Sequence, residues 1–160
     1  MFRSLLPACI LVSLALAPAA AGPGAAGHDH HMSGFSAGEP GNSKKPVRVV
    51  TITMREPDGK MIFNHNHVEV RRGEQIRFVL LNHGELDHEF VLATPEENLK
   101  HAEQMKKNPE MEHDDPNAKR VAPKKKGELV WRFTKRGVFE FACMIPGHRE
   151  AGMFGTVIVK

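Results

Sequence analysis

The sequence predicts an all-β protein, a Greek-key β-sandwich of seven or eight strands with one short helical insertion. Apolar and polar residues alternate with a period of two in segments such as 128–134, where Leu129, Trp131 and Phe133 share one face. β-Branched residues are dense from position 47 onward, and turn-forming residues such as those at 56–59 separate the segments. Many short strands within about 115 residues are typical of an antiparallel sandwich.

The predicted elements follow one another in a single domain, residues 46–160. Strands are expected at residues 47–54, 61–63, 67–70, 75–81, 88–93, 128–134, 137–143 and 155–159. After the fifth strand, Thr94 and Glu97 are spaced as a capping box with Pro95 at the first helical position, which predicts a helix to about Lys107. Residues 108–126 are charged and interrupted by proline, so a long loop is predicted there.

The first 45 residues are predicted to lie outside this domain. Residues 1–21 have the layout of a secretory signal, with a positive charge at Arg3, an apolar run at 5–17 and small residues at 19–21. The apolar run is too short to span a bilayer. Residues 22–45 are rich in Gly, Ala, Ser and Pro without apolar periodicity, which predicts a flexible tail. We therefore expect an exported protein, located in a bacterial periplasm.

Charge and hydropathy exclude several classes of partner. The formal net charge is +3, and it falls to about +2 once Arg3 leaves with the signal. This balance is too even to favour nucleic acid. Beyond the signal, no apolar stretch is long enough to cross a membrane. We expect a monomer with neither a nucleic-acid nor a membrane partner.

The mature chain is expected to keep one cysteine, Cys143, because Cys9 lies within the signal. A single cysteine cannot form an internal disulfide, and a bare thiol is a liability in an oxidising compartment. Two interpretations are open on this count alone: a small buried apolar residue, or a thiolate protected by a metal ion.

The residues that follow Cys143 favour the metal. Cys143, His148 and Met153 are spaced C-x4-H-x4-M, and thiolate, imidazole and thioether together suit a redox-active copper ion. The second imidazole is expected from His88, which shares a strand face with apolar residues, as Cys143 does on its own strand. Pro146–Gly147 and Gly152 are expected to turn the intervening loop back toward the site.

Each donor also has a simpler interpretation, since a lone strand histidine is more often structural and a lone methionine usually packs in a core. A His and a Met at these distances after one cysteine, together with an inward-facing His upstream, make coincidence improbable. Structural zinc rarely takes a thioether. A binuclear copper centre would need a second cysteine in the loop, and a multicopper oxidase would need paired His-x-His motifs and a longer chain.

The ligand loop and the run Asp87-His88-Glu89-Phe90 resemble those of cupredoxins, the small type 1 copper proteins, over roughly residues 46–160. The long C-x4-H-x4-M loop is similar to that of the rusticyanin-like branch. The resemblance implies His88, Cys143 and His148 as equatorial ligands and Met153 as the axial ligand of one type 1 copper that cycles between Cu(I) and Cu(II). Many cupredoxins have Asn directly after the first ligand histidine, whereas this chain has Glu89.

Further donors suggest additional, weakly bound copper. The predicted tail contains His28, His30, His31 and Met32, a tract that favours metal capture, although such a tract is also compatible with a plain polar tail. His101 and Met105 lie four residues apart and share a face of the predicted helix, with Met111 and His113 in the loop after it. They are a weaker candidate because surface His and Met are common.

The sequence is compatible with two functions. With its His-rich leader, the chain resembles periplasmic cupredoxins associated with copper tolerance, which implies copper ions as the partner. The alternative is a soluble one-electron carrier between respiratory or photosynthetic partner proteins. Residues 144–146, Ala151 and Phe154 would then form an apolar docking rim around His148. We do not expect an enzyme, since no nucleophile–base pair or second complete metal site is evident.

Overall fold

The computed structural model describes residues 34–109 and 115–160, which form two five-stranded sheets and one α-helix. The strands are β1 Glu39–Pro40, β2 Arg48–Arg55, β3 Ile62–Asn64, β4 His67–Val70, β5 Gln75–Asn82, β6 His88–Ala93, β7 Ala118–Val121, β8 Lys126–Arg132, β9 Gly137–Ala142 and β10 Phe154–Val159. The helix α1 is Pro95–Lys107, and a single 3-10 turn occupies Pro57–Gly59. No helix in these described ranges is long and apolar enough to cross a membrane.

The two sheets have the strand orders β1-β8-β5-β2-β3 and β4-β10-β9-β6-β7. Most neighbouring strands are antiparallel, but β2 pairs with β5 and β4 pairs with β10 in parallel. The predicted all-β sandwich is confirmed with ten strands rather than seven or eight. The sequence favoured an antiparallel sandwich and did not predict these two parallel pairings, because residue alternation indicates which face is buried and not the direction of the neighbouring strand.

A single apolar core lies between the sheets. One sheet contributes residues such as Ile52, Phe78 and Trp131, and the other contributes Phe90 and Phe141, all fully buried. The rings of Phe90 and Phe141 stack with their centroids 5.0 Å apart. This core fixes the positions of β6 and β9, the two strands that lead into the residues of the predicted metal site.

The helix begins as the sequence predicts. The Thr94 hydroxyl accepts a hydrogen bond from the Glu97 N–H at 3.2 Å, and the Glu97 carboxylate accepts one from the Thr94 N–H at 2.9 Å. The helix covers the second face of β6, where all six residues are consequently buried. Within the predicted loop 108–126, the structure adds β7, which pairs with β6.

Residues 35–40 also belong to the sandwich, which differs from the prediction of a flexible segment for this part of residues 22–45. Phe35 packs edge-on against Trp131 with ring centroids 5.3 Å apart, and Ala37 is fully buried. Strand β1 then pairs with β8. The part of the predicted tail and signal before residue 34 lies outside the described residues.

Candidate metal centre

His88 is the first residue of β6, and its ring is fully buried. Side chains alternate along this strand, so the ring enters the same interior as Phe90 and Leu92. The strand lies between β7 and β9, which fixes the backbone of His88 at one end of the sheet.

Cys143 directly follows β9 and is fully buried in the core. Its N–H donates to the Met153 carbonyl oxygen at 3.1 Å, which closes the base of the loop between β9 and β10. Its sulfur accepts a hydrogen bond from the Glu89 N–H at 3.3 Å. The residue after His88 therefore contacts the thiol through its backbone.

His148 lies in the loop closed by Cys143 and Met153, which we call the ligand loop (residues 143–153). Its N–H donates to the Ile145 carbonyl and its own carbonyl accepts from the Met153 N–H, both at 3.0 Å. Gly147 and Gly152 have φ angles of 87° and 105°, a region that favours glycine. The predicted turns at these two glycines are confirmed.

The structure brings His88, Cys143 and His148 together. The two Nδ1 atoms lie 3.2 Å apart, and the Cys143 sulfur lies 3.4 Å from Nδ1 of His148. All three ligand atoms lie within 4.8 Å of one another. Donors about 2.0–2.3 Å from one small ion, at angles of about 100–110°, are separated by roughly 3.1–3.6 Å. The cluster therefore fits a single metal ion.

Met153 is fully buried in the same core cluster as Cys143, at the far end of the ligand loop. It follows His148 at the predicted spacing, and its backbone forms hydrogen bonds with the backbone of Cys143 and of His148. Its sulfur as the fourth ligand stays a prediction.

Without a bound cation, the surroundings of the cluster disfavour the charged forms of Cys143 and His148. Burial raises the pKa of the Cys143 thiol to about 12, and the nearby Glu89 carboxylate adds to this. Burial, and then the proximity of His88, lower the pKa of His148. The protein therefore holds a neutral thiol and a neutral imidazole at neutral pH. A bound cation would replace the thiol proton.

A residue that the sequence analysis did not identify also contacts the cluster. The Glu56 carboxylate forms a short hydrogen bond with Nε2 of His88, on the ring edge opposite to Nδ1. Partial burial alone would raise the pKa of Glu56, but the hydrogen bonds from His88 and from the Glu85 N–H outweigh it and the pKa is lowered. The sequence offers only a turn signal at residues 56–59, and this contact spans 32 positions.

Among the described residues, His101 and Met105 do not join this cluster. Met105 is fully buried in a small cluster with Val91, Ala142 and Met144, whereas His101 is only partly buried. A metal site at this pair stays a prediction. The tract of His28, His30, His31 and Met32 lies outside the described residues, as do Met111 and His113.

The predicted apolar rim around His148 is only partly present. Phe154 is 45% exposed, and Ile145 is partly buried at the edge of the core. Met144 was predicted in the rim but is 1% exposed, because it packs beneath α1 instead.

A two-sheet sandwich with a buried His–Cys–His cluster where β6 begins and β9 ends defines a cupredoxin, and comparison with known proteins agrees. Residues 50–160 match the family described as copper binding proteins, plastocyanin/azurin family. The chain therefore belongs to the plastocyanin/azurin family of copper-binding proteins.

Individual relatives extend the match to nearly the whole chain. The chain is 44% identical over 167 residues to the "Copper-resistant cuproprotein CopI" of Rubrivivax gelatinosus, with 99% of this chain and 98% of that protein covered. It is 33% identical over 187 residues to the protein of the same name from Pseudomonas aeruginosa, with the same coverage. Among solved structures, auracyanin B aligns at a TM-score of 0.62 and 19% identity over 78% of this chain and 96% of that chain, a likeness of fold alone.

Proposed function

We propose that this chain is a periplasmic cupredoxin that binds one copper ion, cycles it between Cu(I) and Cu(II), and serves copper tolerance. The observation that carries the proposal is the buried cluster of His88, Cys143 and His148, with donor atoms 3.2 and 3.4 Å apart. In this proposal the three residues are the equatorial ligands and Met153 is the axial ligand.

The chemistry of the donors supports copper over other first-row metals. A thiolate stabilises Cu(I), imidazoles accept either oxidation state, and a thioether is a ligand that zinc and the harder cations rarely take. When bound, copper supplies a one-electron couple. The protein would contribute a buried site on a braced loop, since backbone hydrogen bonds join residues 143, 148 and 153.

A role in copper tolerance is supported by the relatives named copper-resistant cuproproteins, which this chain matches from end to end. Export to the periplasm is supported by Arg3, the apolar run that follows it and the small residues at 19–21. The proposed role is binding and electron transfer rather than catalysis, because protein donors would fill the coordination positions of the ion.

A visible absorption and electron paramagnetic resonance spectrum of the Cu(II)-loaded protein, beside a Cys143→Ser variant, tests the site. We expect an intense sulfur-to-copper charge-transfer band in the native protein and its loss in the variant. An unchanged spectrum in the variant would refute the assignment. Titration with Cu(II) should give one tight site, and a second class of sites would be assigned to the His-rich tract by deleting residues 22–33.

Complementation tests the biological role. A Rubrivivax gelatinosus strain that lacks its CopI protein should regain growth in high copper when it expresses this chain, but not when it expresses Cys143→Ser.

One observation favours the alternative of a soluble electron carrier: His148 is 8% exposed, and the guanidinium of the adjacent Arg149 lies 5.5 Å from the exposed ring of Phe154, an apolar surface for contact with a redox partner. Deletion of the gene would then impair respiration without copper sensitivity.

A further inference from the structure

Glu56 contacts the His88 ring on the edge opposite to the cluster. One carboxylate oxygen meets Nε2 of His88, while Nδ1 of the same ring faces His148 at 3.2 Å. The two ring nitrogens therefore have different partners, one anionic and one at the cluster. The His88 side chain is fully buried, and that of Glu56 is 17% exposed.

The local chain fixes the position of this carboxylate. Glu56 directly follows β2 and precedes Pro57, which disfavours the helical region for its backbone, and its φ and ψ angles are −119° and 64°. Its second oxygen accepts a hydrogen bond from the Glu85 N–H at 3.0 Å. Both oxygens lie so close to Gly84 that a Cβ at position 84 would collide with them. The absence of a side chain at Gly84 thus leaves room for the carboxylate.

We propose that Glu56 is a positioning residue for the metal centre: its carboxylate accepts the Nε2 proton of His88, presents the bare Nδ1 to the ion, and favours Cu(II) over Cu(I). This inference rests on the proposed copper site. Metal-ligating histidines commonly donate their second nitrogen to such a partner, which fixes the tautomer and raises the basicity of the ligand.

The direction of the effect on the reduction potential follows from charge. An anion one imidazole away from the ion stabilises the state with the higher positive charge, and partial burial weakens the screening of this interaction. Removal of the charge should therefore destabilise Cu(II) relative to Cu(I) and raise the reduction potential.

Two variants test the proposal by different routes. Glu56→Gln removes the charge with little change in shape, whereas Gly84→Ala keeps the charge but displaces the carboxylate by the collision at position 84. In each variant we expect the ratio of Cu(II) to Cu(I) affinity to fall at least tenfold, which is a rise in potential of about 59 mV or more. Asp58→Asn is the matched control, since Asp58 is exposed, lies in the same turn and has a φ of 50° that Asn tolerates. Its affinity ratio should change less than twofold.

A second readout needs no metal. Nitrogen-15 resonances of the imidazole in the apoprotein should show His88 protonated at Nε2 and bare at Nδ1, and Glu56→Gln should mix the two tautomers. The inference is overturned if both variants bind copper with the native spectrum, keep the affinity ratio within twofold and leave the tautomer unchanged. If the native protein lacks a Cys143-dependent charge-transfer band, the proposed function itself fails, whereas the apoprotein measurement still tests the hydrogen bond.

Discussion

The guanidinium of Arg149 forms a two-point ion pair with the carboxylate of Glu140. Nε of Arg149 lies 3.1 Å from one carboxylate oxygen and Nη2 lies 2.9 Å from the other. Glu140 is on β9 and also accepts a hydrogen bond from the Asn98 side chain of α1 at 3.1 Å. Since Arg149 is adjacent to His148, this network joins the helix, the strand before Cys143 and the ligand loop.

Loss of Arg149 should therefore loosen the ligand loop. Arg149→Gln would leave the nearly buried Glu140 carboxylate without its cation. We expect the free energy of unfolding of the apoprotein, measured by denaturant titration, to fall by about 2–4 kcal/mol. The reason is that breaking a buried ion pair costs more than breaking a surface pair. Lys100→Gln, which breaks a solvent-exposed pair with Glu96, should cost much less. Equal losses in the two variants would contradict a bracing role for Arg149.

Substitution of Met105 separates core packing from metal binding. Met105 is fully buried beside Met144 and Ala142, directly before Cys143. Met105→Leu conserves volume and should cost less than about 1.5 kcal/mol, whereas Met105→Ala should cost about 2–5 kcal/mol. Copper stoichiometry, measured by calorimetric titration, should be the same in both variants. A lower stoichiometry in the stable Met105→Leu variant would instead support a second metal site with His101.

Much of the architecture was predictable because the alternation of apolar and polar residues along a strand indicates which side chains are buried. The alternation around Phe139, Phe141 and Cys143 placed the cysteine in the interior, and the structure agrees. The capping box at Thr94 placed the start of α1 at the observed residue. These signals are local, so no tertiary information was needed to find them.

The missed features depend on contacts between distant parts of the chain. Strand β7 lies in a charged segment and exists because β6 offers a hydrogen-bonding edge there. The parallel pairing of β2 with β5 leaves no local signature. Likewise, nothing in the sequence around Glu56 indicates that it meets His88.

The packing of the segment before β1 leads to a prediction about stability. Phe35 packs edge-on against the fully buried Trp131. Because Phe35 is only partly buried, Phe35→Ala should lower the free energy of unfolding by about 1–3 kcal/mol, somewhat less than is typical of a core phenylalanine. Thermal unfolding followed by Trp131 fluorescence measures this. Ser43→Ala is the control, since the Ser43 side chain is exposed between β1 and β2, and it should cost less. An unchanged melting temperature in Phe35→Ala would show that this segment contributes nothing to the sandwich.

The stability of the apoprotein should fall in alkaline solution because of Cys143. The folded protein raises the pKa of this thiol from 9.0 to about 12, so between these values the unfolded chain loses the proton while the folded protein retains it. The unfolded state then binds fewer protons, and the free energy of unfolding falls as pH rises. The slope should be steepest midway between these two pKa values, where the folded and unfolded states differ by close to one bound proton.

Cys143→Ser is the matched control for this slope, since serine does not titrate in that range while lysines and arginines contribute equally to both proteins. The difference between the two denaturant midpoints should shrink steadily above pH 9, because only the native apoprotein loses the contribution of a protonated thiol. A constant difference from pH 7 to pH 11 would show that the Cys143 thiol ionises as easily in the folded protein as in the unfolded chain, and the site would then be open to water.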